Sequence, residues 1–249
     1  MTGVAIIKPA TIAAVTVSTG TGGDNLLTPS PREVWKSASA TNHVLHLDLG
    51  AATQFDTIFL GGCYVPAGAT WVVHTVDAVG GPVTTLATAS VQLPGATVAP
   101  IQSVIALAAP VTSRFVRIDF ELAAAAEISL GLALVGLAFV HDKAFGSGRP
   151  LNDLSRIAEL QDGGFGIDEG TIKAGYRWRF IDLTPAELEQ LWQILLSVGR
   201  KKPVVVIEDL TAGAITEPSV HYGLFDKFEP WERANAQDTV WALSMTEWR

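Results

Sequence analysis

The chain has 249 residues, 48% of them hydrophobic and 17% charged, with 23 glycines and 13 prolines; this balance excludes a disordered chain and fits β-rich globular structure with many turns, in one large or two ordinary domains. A net charge of -8 and a pI near 5.1 exclude a broad surface for nucleic acid or anionic membrane, since either needs an excess of Lys and Arg. The single cysteine, Cys63, excludes an intrachain disulfide and any CxxC metal site, and reads as a small buried apolar side chain.

The opening MTGVAIIKPATIAAVTV is interrupted by Lys8 and Pro9, so it reads as a first strand and not as a signal peptide. In His43 to Leu49, Leu45, Leu47 and Leu49 alternate with His46 and Asp48, and Gly50 ends the run; Phe55 to Leu60 follows as a second strand. Further strands are expected over Trp71 to Val76, Val83 to Leu93 and Ile101 to Leu107. In Arg114 to Glu121, Val116, Ile118 and Phe120 face inward while Arg117, Asp119 and Glu121 face outward. Leu122 to Val140 is nearly all apolar, about the length that spans a bilayer. Its Ile128, Leu130, Leu132 and Leu134 nevertheless recur every second residue, the period of a buried strand, and no membrane insertion is expected. Around eight strands without helices point to a β-sandwich or jelly roll over residues 1–140.

Residues 141–174 break the pattern as a loop-rich connection, long enough that it must hold short strands of a second domain or reach toward a neighbour. Gly163, Gly164, Gly166 and Gly170 read as a turn and not as a phosphate loop: no GK[ST] follows, and Asp162, Asp168 and Glu169 would repel phosphate. The stretch GYRWRFIDLTPAELEQLWQILLSVGRKKP, from Gly175 to Pro203, is the most complete local signal in the chain. Thr184 caps a helix, Pro185 takes its first position, and Glu187 closes a capping box. Leu188, Leu191, Trp192, Leu195 and Leu196 form the expected apolar stripe, Gly199 ends the helix, and Arg200, Lys201 and Lys202 suit its negative end. Strands are expected before it (Tyr176 to Ile181) and after it (Val204 to Glu208), then a turn over Glu208 to Pro218, and strands over Ser219 to Phe228 and Thr239 to Trp248. The second half thus reads as an α+β domain over 175–249, or from near 143 if the connection belongs to it, with one main helix at about 184–198.

Two resemblances follow from these residues. The runs VWKSASATNHVLHLDLGAATQFDTIFLGG and SRFVRIDFELAAAAEISLGLALVG resemble the opening and closing strands of a discoidin or galactose-binding-like module. The resemblance implies that fold, and in such modules loops at one end bind sugars or phospholipids. The order of features in the second half resembles minor tail proteins of long-tailed bacteriophages. It takes in the Gly131 to Phe139 run, the turn Gly148, Arg149, Pro150, and the strand and helix carrying Gly175, Trp178, Leu183, Glu187 and Leu191. Pro203 to Asp209 and the pair Tyr222, Gly223 complete the set. It implies a distal-tail-like or baseplate component of the virion, made in the host cytoplasm. The α+β half would join copies into a ring on the tail tube, and the sandwich half would brace hub and other baseplate proteins or touch a host surface glycan. In many distal tail proteins the ring half comes first; here the sandwich precedes it.

The residues themselves offer little catalytic chemistry. His43 and His46 lie on opposite faces of one strand, and His74, His141 and His221 lie elsewhere, so no metal site is expected. No GxSxG elbow is present. Asp153, Asp162, Asp168 and Glu169 gather in the connection, where they could serve a glycan-cleaving enzyme, although a solvated acidic loop accounts for them. Among the seven tryptophans, Trp35 and Trp71 are the candidates for stacking on a sugar. Trp192 belongs to the helix stripe and is expected in the core. Trp231, with Arg200, Lys201 and Lys202, is the candidate subunit interface, because tryptophan is enriched at interface hot spots. The expectation is therefore a non-enzymatic tail-tip protein without cofactor that assembles as a ring, with a carbohydrate-binding adsorption module as the alternative.

Overall fold

The computed structural model describes residues 3–79, 81–86, 91–92, 101–208, 213–216, 219–233 and 239–248. It is mainly β, with one α-helix among the described residues. The chain divides into two compact units, Met1–Val140 with Val205–His221, and His141–Val204 with Tyr222–Arg249.

The first part of the chain supplies β1 (Gly3–Pro9), β2 (Ala14–Val17), β3 (Trp35–Lys36), β4 (Ala40–Cys63) and β5 (Thr70–Val76), with a short 3-10 turn at Gly23–Leu27. It continues with β6 (Val83–Thr85), β7 (Val91–Gln92), β8 (Ile101–Ala126), β9 (Ser129–Leu130) and β10 (Leu132–Asp142). Then come β11 (Leu151–Asp153), β12 (Arg156–Glu159), β13 (Phe165–Asp168), β14 (Ile172–Phe180) and the helix α1 (Pro185–Val198). After the helix follow β15 (Val204–Glu208), β16 (Gly213–Thr216), β17 (Val220–Phe228), β18 (Glu232–Arg233) and β19 (Thr239–Glu247).

In the first unit, β4 and β8 belong to two antiparallel layers at once. Ala40 to Asp48 of β4 pair with Phe115 to Ala126 of β8, and Thr53 to Cys63 pair with Ile101 to Ser113. The register shifts between Asp48 and Thr53, where Gly50 has φ 77 and its N–H donates to Asp48 Oδ1 at 2.8 Å. Strands that bend in this way turn the corner between packed sheets. The first half of β4 joins β2 on one side and, through β8, reaches β5, β6 and β7. The second half joins β10, β1 and β15 in one direction, while β8 takes β16. Leu45, Leu47, Phe55, Trp71, Ile118, Phe120 and Val135 meet in one buried core. Each such side chain contributes about 1.5–3 kcal/mol by leaving water. Where β10 passes β1, a Cβ on Gly136 would lie 2.4 Å from the Lys8 carbonyl oxygen, so this crossing tolerates only glycine.

Several expectations change here. His43 to Leu49 and Phe55 to Leu60 are one strand, as are Ile101 to Leu107 and Arg114 to Glu121, because bulges at Gly50 and its partner segment bend the strands without ending them. The opening strand is two, β1 and β2. Part of the expected 83–93 strand lies outside the described residues. Within the expected turn at 208–218, residues 213–216 pair with β8 as a strand; 209–212 and 217–218 lie outside the described residues.

In the second unit, strands run in the order β11, β14, β19, β17, all antiparallel. The registers Tyr176↔Met245, Trp178↔Leu243 and Phe180↔Trp241 put large side chains on one face, and α1 covers it with Leu191, Ile194, Leu195 and Val198. The capping box forms: Glu187 N–H donates to Thr184 Oγ1 at 3.3 Å and Thr184 N–H donates to Glu187 Oε2 at 2.8 Å. The Thr184 hydroxyl, which donates to Glu187 Oε2 at 2.7 Å, and then the Thr184 N–H hold the Glu187 carboxyl below the usual carboxylate range. Segment 144–150 lines β14, with Gly148 N–H donating to Arg177 O at 2.9 Å and Gly175 N–H to Pro150 O at 2.8 Å. The loop-rich connection therefore carries three short strands, β11 to β13, of this unit.

Candidate functional site

The two tryptophans expected to stack on sugar are core residues. Trp35 and Trp71 are both 0% exposed. Trp35 Nε1 donates to Thr19 O at 2.9 Å and its ring meets His43 edge-on at 6.3 Å. Trp71 Nε1 donates to Ser103 Oγ at 3.1 Å. Each lies on a strand whose inward positions fill the sandwich, so neither ring face is open to a ligand, and both are removed from the candidate contacts.

What the first unit offers instead is a polar row across its sheet. Register pairs align Thr16, His46, Arg117, His74 and Thr85 across β2, β4, β8, β5 and β6. Arg117 Nε donates to Asp119 Oδ1 at 2.6 Å, and His74 Nε2 lies 3.4 Å from Asp119 Oδ2. His74 Nδ1 lies 3.2 Å from Thr85 Oγ1. Burial lowers the His46 pKa, Arg117 lowers it further and Asp119 opposes them. His43, on the other face of β4, is wholly buried with Nε2 3.2 Å from Ala126 O and Nδ1 3.5 Å from Thr19 Oγ1; burial lowers its pKa as well. Such a row can donate and accept hydrogen bonds at a sheet surface, but the Arg117 charge between two imidazoles opposes a cation there. Among the described residues no group of three metal-ligating side chains forms.

Among its described residues the second unit exposes several large apolar side chains, and two groupings of them stand out. The first is a groove of about 490 Å³ whose lining includes Trp192, Leu196, Gly199, Phe228, Pro230 and Trp231, with Trp241 below. Trp192, expected in the core, is 43% exposed. Its ring sits 6.0 Å from that of Trp241, because the buried stripe of α1 runs through Ile194 and Val198 and leaves Trp192 and Leu196 on the flank. Trp241 Nε1 donates to Glu229 O at 2.8 Å, and Arg177 reaches Glu229 Oε2 at 3.3 Å, which fixes the turn carrying Pro230 and Trp231. Trp231 is 40% exposed. Of the residues expected at an interface, Trp231 lines this groove; Arg200, Lys201 and Lys202 are exposed and follow its lining residue Gly199 in the chain.

The second place is the hairpin of β12 and β13. Ile157 pairs with Ile167 and Glu159 with Phe165 on one face; Arg156 pairs with Asp168 and Ala158 with Gly166 on the other. Ile157, Phe165 and Ile167 are 68%, 66% and 65% exposed. Gly163, at φ 83, makes the turn, and Asp162 Oδ1 accepts from Gly164 N–H at 2.9 Å. Asp153 accepts from Ser155 N–H at 2.8 Å, and the Ser155 hydroxyl and N–H hold its carboxyl below the usual range. Three of the four grouped carboxylates thus have structural positions in turns or opposite Arg156, and Glu169 follows directly on the hairpin.

Sequence reading missed Trp192, Leu196 and the hairpin. One signal was present: Leu188, Leu191, Trp192, Ile194, Leu195, Leu196 and Val198 make an apolar arc wider than one sheet-facing stripe needs.

Neither a protein-family model nor a curated protein matches the sequence. Among solved structures, the chain is similar to chitosan-binding module 1 of a chitosanase/glucanase from Paenibacillus sp. IK-5, at 18% identity over 52% of this chain and 98% of that one, with a TM-score of 0.43. It is similar to the family 32 carbohydrate-binding module of Clostridium perfringens NanJ in complex with galactose, at 13% identity over 53% of this chain and 98% of that one, TM-score 0.41. A Ruminococcus gnavus GH29 fucosidase in complex with fucose matches at 18% identity and TM-score 0.40, over 50% of this chain and only 25% of the fucosidase. Likeness at this level transfers no residue, ligand or role; about half of this chain is similar to sandwich modules of that kind.

Proposed function

We propose that the chain is a structural protein of a bacteriophage tail tip that assembles with copies of itself and links the tail tube to hub and baseplate proteins. The observation that carries the assembling part is the outward apolar surface of the second unit: the groove around Trp192 and Trp231, and the exposed Ile157, Phe165 and Ile167. Clustered exposed apolar side chains of this kind, with a tryptophan among them, support the reading of an interface. The tail-tip part is supported by the ordered resemblance running from Gly131 to Gly223. Light scattering on the full chain tests assembly, and antibody labelling of intact particles tests location. A closed oligomer and label at the tail tip are expected; label confined to the capsid, or absent from purified particles, overturns the location.

A second reading, glycan binding by the first unit, is favoured by the polar row His46, Arg117, His74 and Thr85, since sugar hydroxyls are held by charge-assisted donors and acceptors of this kind. A glycan array on the full chain should then show binding that Arg117→Ala abolishes. An array without signal removes this reading and leaves the first untouched.

A further inference from the structure

Two apolar surfaces exposed among the described residues, of opposite shape, raise the question of what covers each. The hairpin Arg156–Asp168 is a two-stranded ribbon by itself, and such a ribbon is marginal in water unless one face packs against something. Its apolar face carries Ile157, Ile167 and Phe165, all more than half exposed. The groove is concave, and its 490 Å³ falls in the range of about 300–1,000 Å³ typical of pockets that enclose a ligand, room for more than one such side chain.

Charge selects between occupants. Over Leu151 to Ile172 the chain carries five carboxylates, Asp153, Glu159, Asp162, Asp168 and Glu169, against one base, Arg156. Arg200, Lys201 and Lys202, all exposed, follow directly after the groove's lining residue Gly199. Of the acidic groups beside the groove, Glu229 is held by Arg177, and Glu232 is followed by Arg233. An acidic apolar finger and an apolar groove whose lining residue Gly199 leads into three exposed bases are complementary in shape, polarity and sign. The hairpin grows from the β11 and β14 edge, whereas the groove lies between α1 and the end of β17, so the two patches are distinct. Contact between distinct patches on identical chains either repeats head-to-tail, closing as a ring or running on as a filament, or is made twice in a reciprocal two-fold dimer.

We propose that the β12–β13 hairpin of one copy seats Ile157, Phe165 and Ile167 in the Trp192–Trp231 groove of the next copy, with the hairpin carboxylates against Arg200, Lys201 and Lys202. This rests on the self-assembly reading above and names its contact. Each copy then donates one finger and receives one.

The test uses two full-length variants, Ile157→Asp/Phe165→Asp in the finger and Leu196→Glu/Trp231→Ala in the groove. All four positions are exposed, and circular dichroism melts check that both variants fold. By light scattering, wild type is expected as an oligomer, each variant alone as a monomer, and their equimolar mixture as a dimer, since one intact finger meets one intact groove and the chain of contacts stops there. High salt should weaken the dimer. If wild type forms an oligomer that neither variant disturbs, the finger-groove contact is overturned while self-assembly stands. If both variants are monomeric and the mixture is too, an intact finger does not seat in an intact groove and the proposal falls. If wild type stays monomeric to about 1 mM, where an interface of about 4 kcal/mol would show, contact and self-assembly fall together.

Discussion

The two units spend the same kinds of residue in opposite ways. In the first, Trp35, Trp71, Ile118 and Phe120 are sealed inside a sandwich, and the groups left at its sheet surface are His74, Arg117, Asp119 and Thr85. In the second, Trp192 and Trp231 border an open groove and Ile157 and Ile167 stand on a bare ribbon. Hydrophobic residues do not by themselves say whether they complete a core or await a partner. What distinguishes the two uses is whether the apolar arc of an element exceeds what its own sheet can cover.

The comparison breaks most sharply at Trp71. Trp71→Ala should lower stability by about 3–5 kcal/mol, the cost of a fully buried aromatic plus the cavity left behind, read as a shifted urea midpoint; a loss under about 1 kcal/mol would mean the sandwich core is looser than its burial implies. A smaller loss, about 1 kcal/mol, is expected for Thr184→Ala, which removes the cap that Thr184 and Glu187 build. An unchanged melt would show that α1 is held by packing alone.

A third effect is pH dependence. Burial holds the folded His43 and His46 pKa values below the ordinary histidine value of about 6.5, so the unfolded chain takes protons first as pH falls. Stability is then fully present above about 6.5 and declines as pH drops below it. The depressed carboxyls of Asp48 and Glu187 act only lower, around and below the ordinary carboxylate range near 4. Urea melts between pH 7.5 and 5 should therefore report the histidines, and His46→Gln should flatten the slope; a slope unaltered by that change assigns the dependence elsewhere. Smallest of all, Ile167→Thr on the hairpin should move stability by less than about 0.5 kcal/mol, because that side chain is mostly in water already. A larger loss would show that the ribbon packs within its own chain.

What could be read from the sequence was local. Thr184, Pro185, Glu187 and Gly199 specify the helix through neighbours within four residues, and the alternation in Arg114 to Glu121 specifies a strand face. Gly50 misled, because a left-handed residue at a bulge and one at a strand end look alike until the pairing of Asp48 and Thr53 is known. The row His46, Arg117, His74 depends on registers between strands far apart in sequence. Trp35 and Trp71 sit in strands between turns, a setting equally suited to rim or core, and only the second layer closing over them decides it.

The path of the chain through the first unit bears on how it is made. β1 gains its β15 neighbour only at Val204–Glu208, and β8 gains β16 only at Gly213–Thr216. During synthesis at about 5–20 residues per second, the ribosome delivers the sandwich with two bare sheet edges and must finish β11 to β14 and α1 before either is covered. Bare edges of this kind recruit other strands, so the interval between residues 140 and 216 is the one in which a nascent chain most needs a holding chaperone, and a fragment ended at Val140 would carry that exposure permanently.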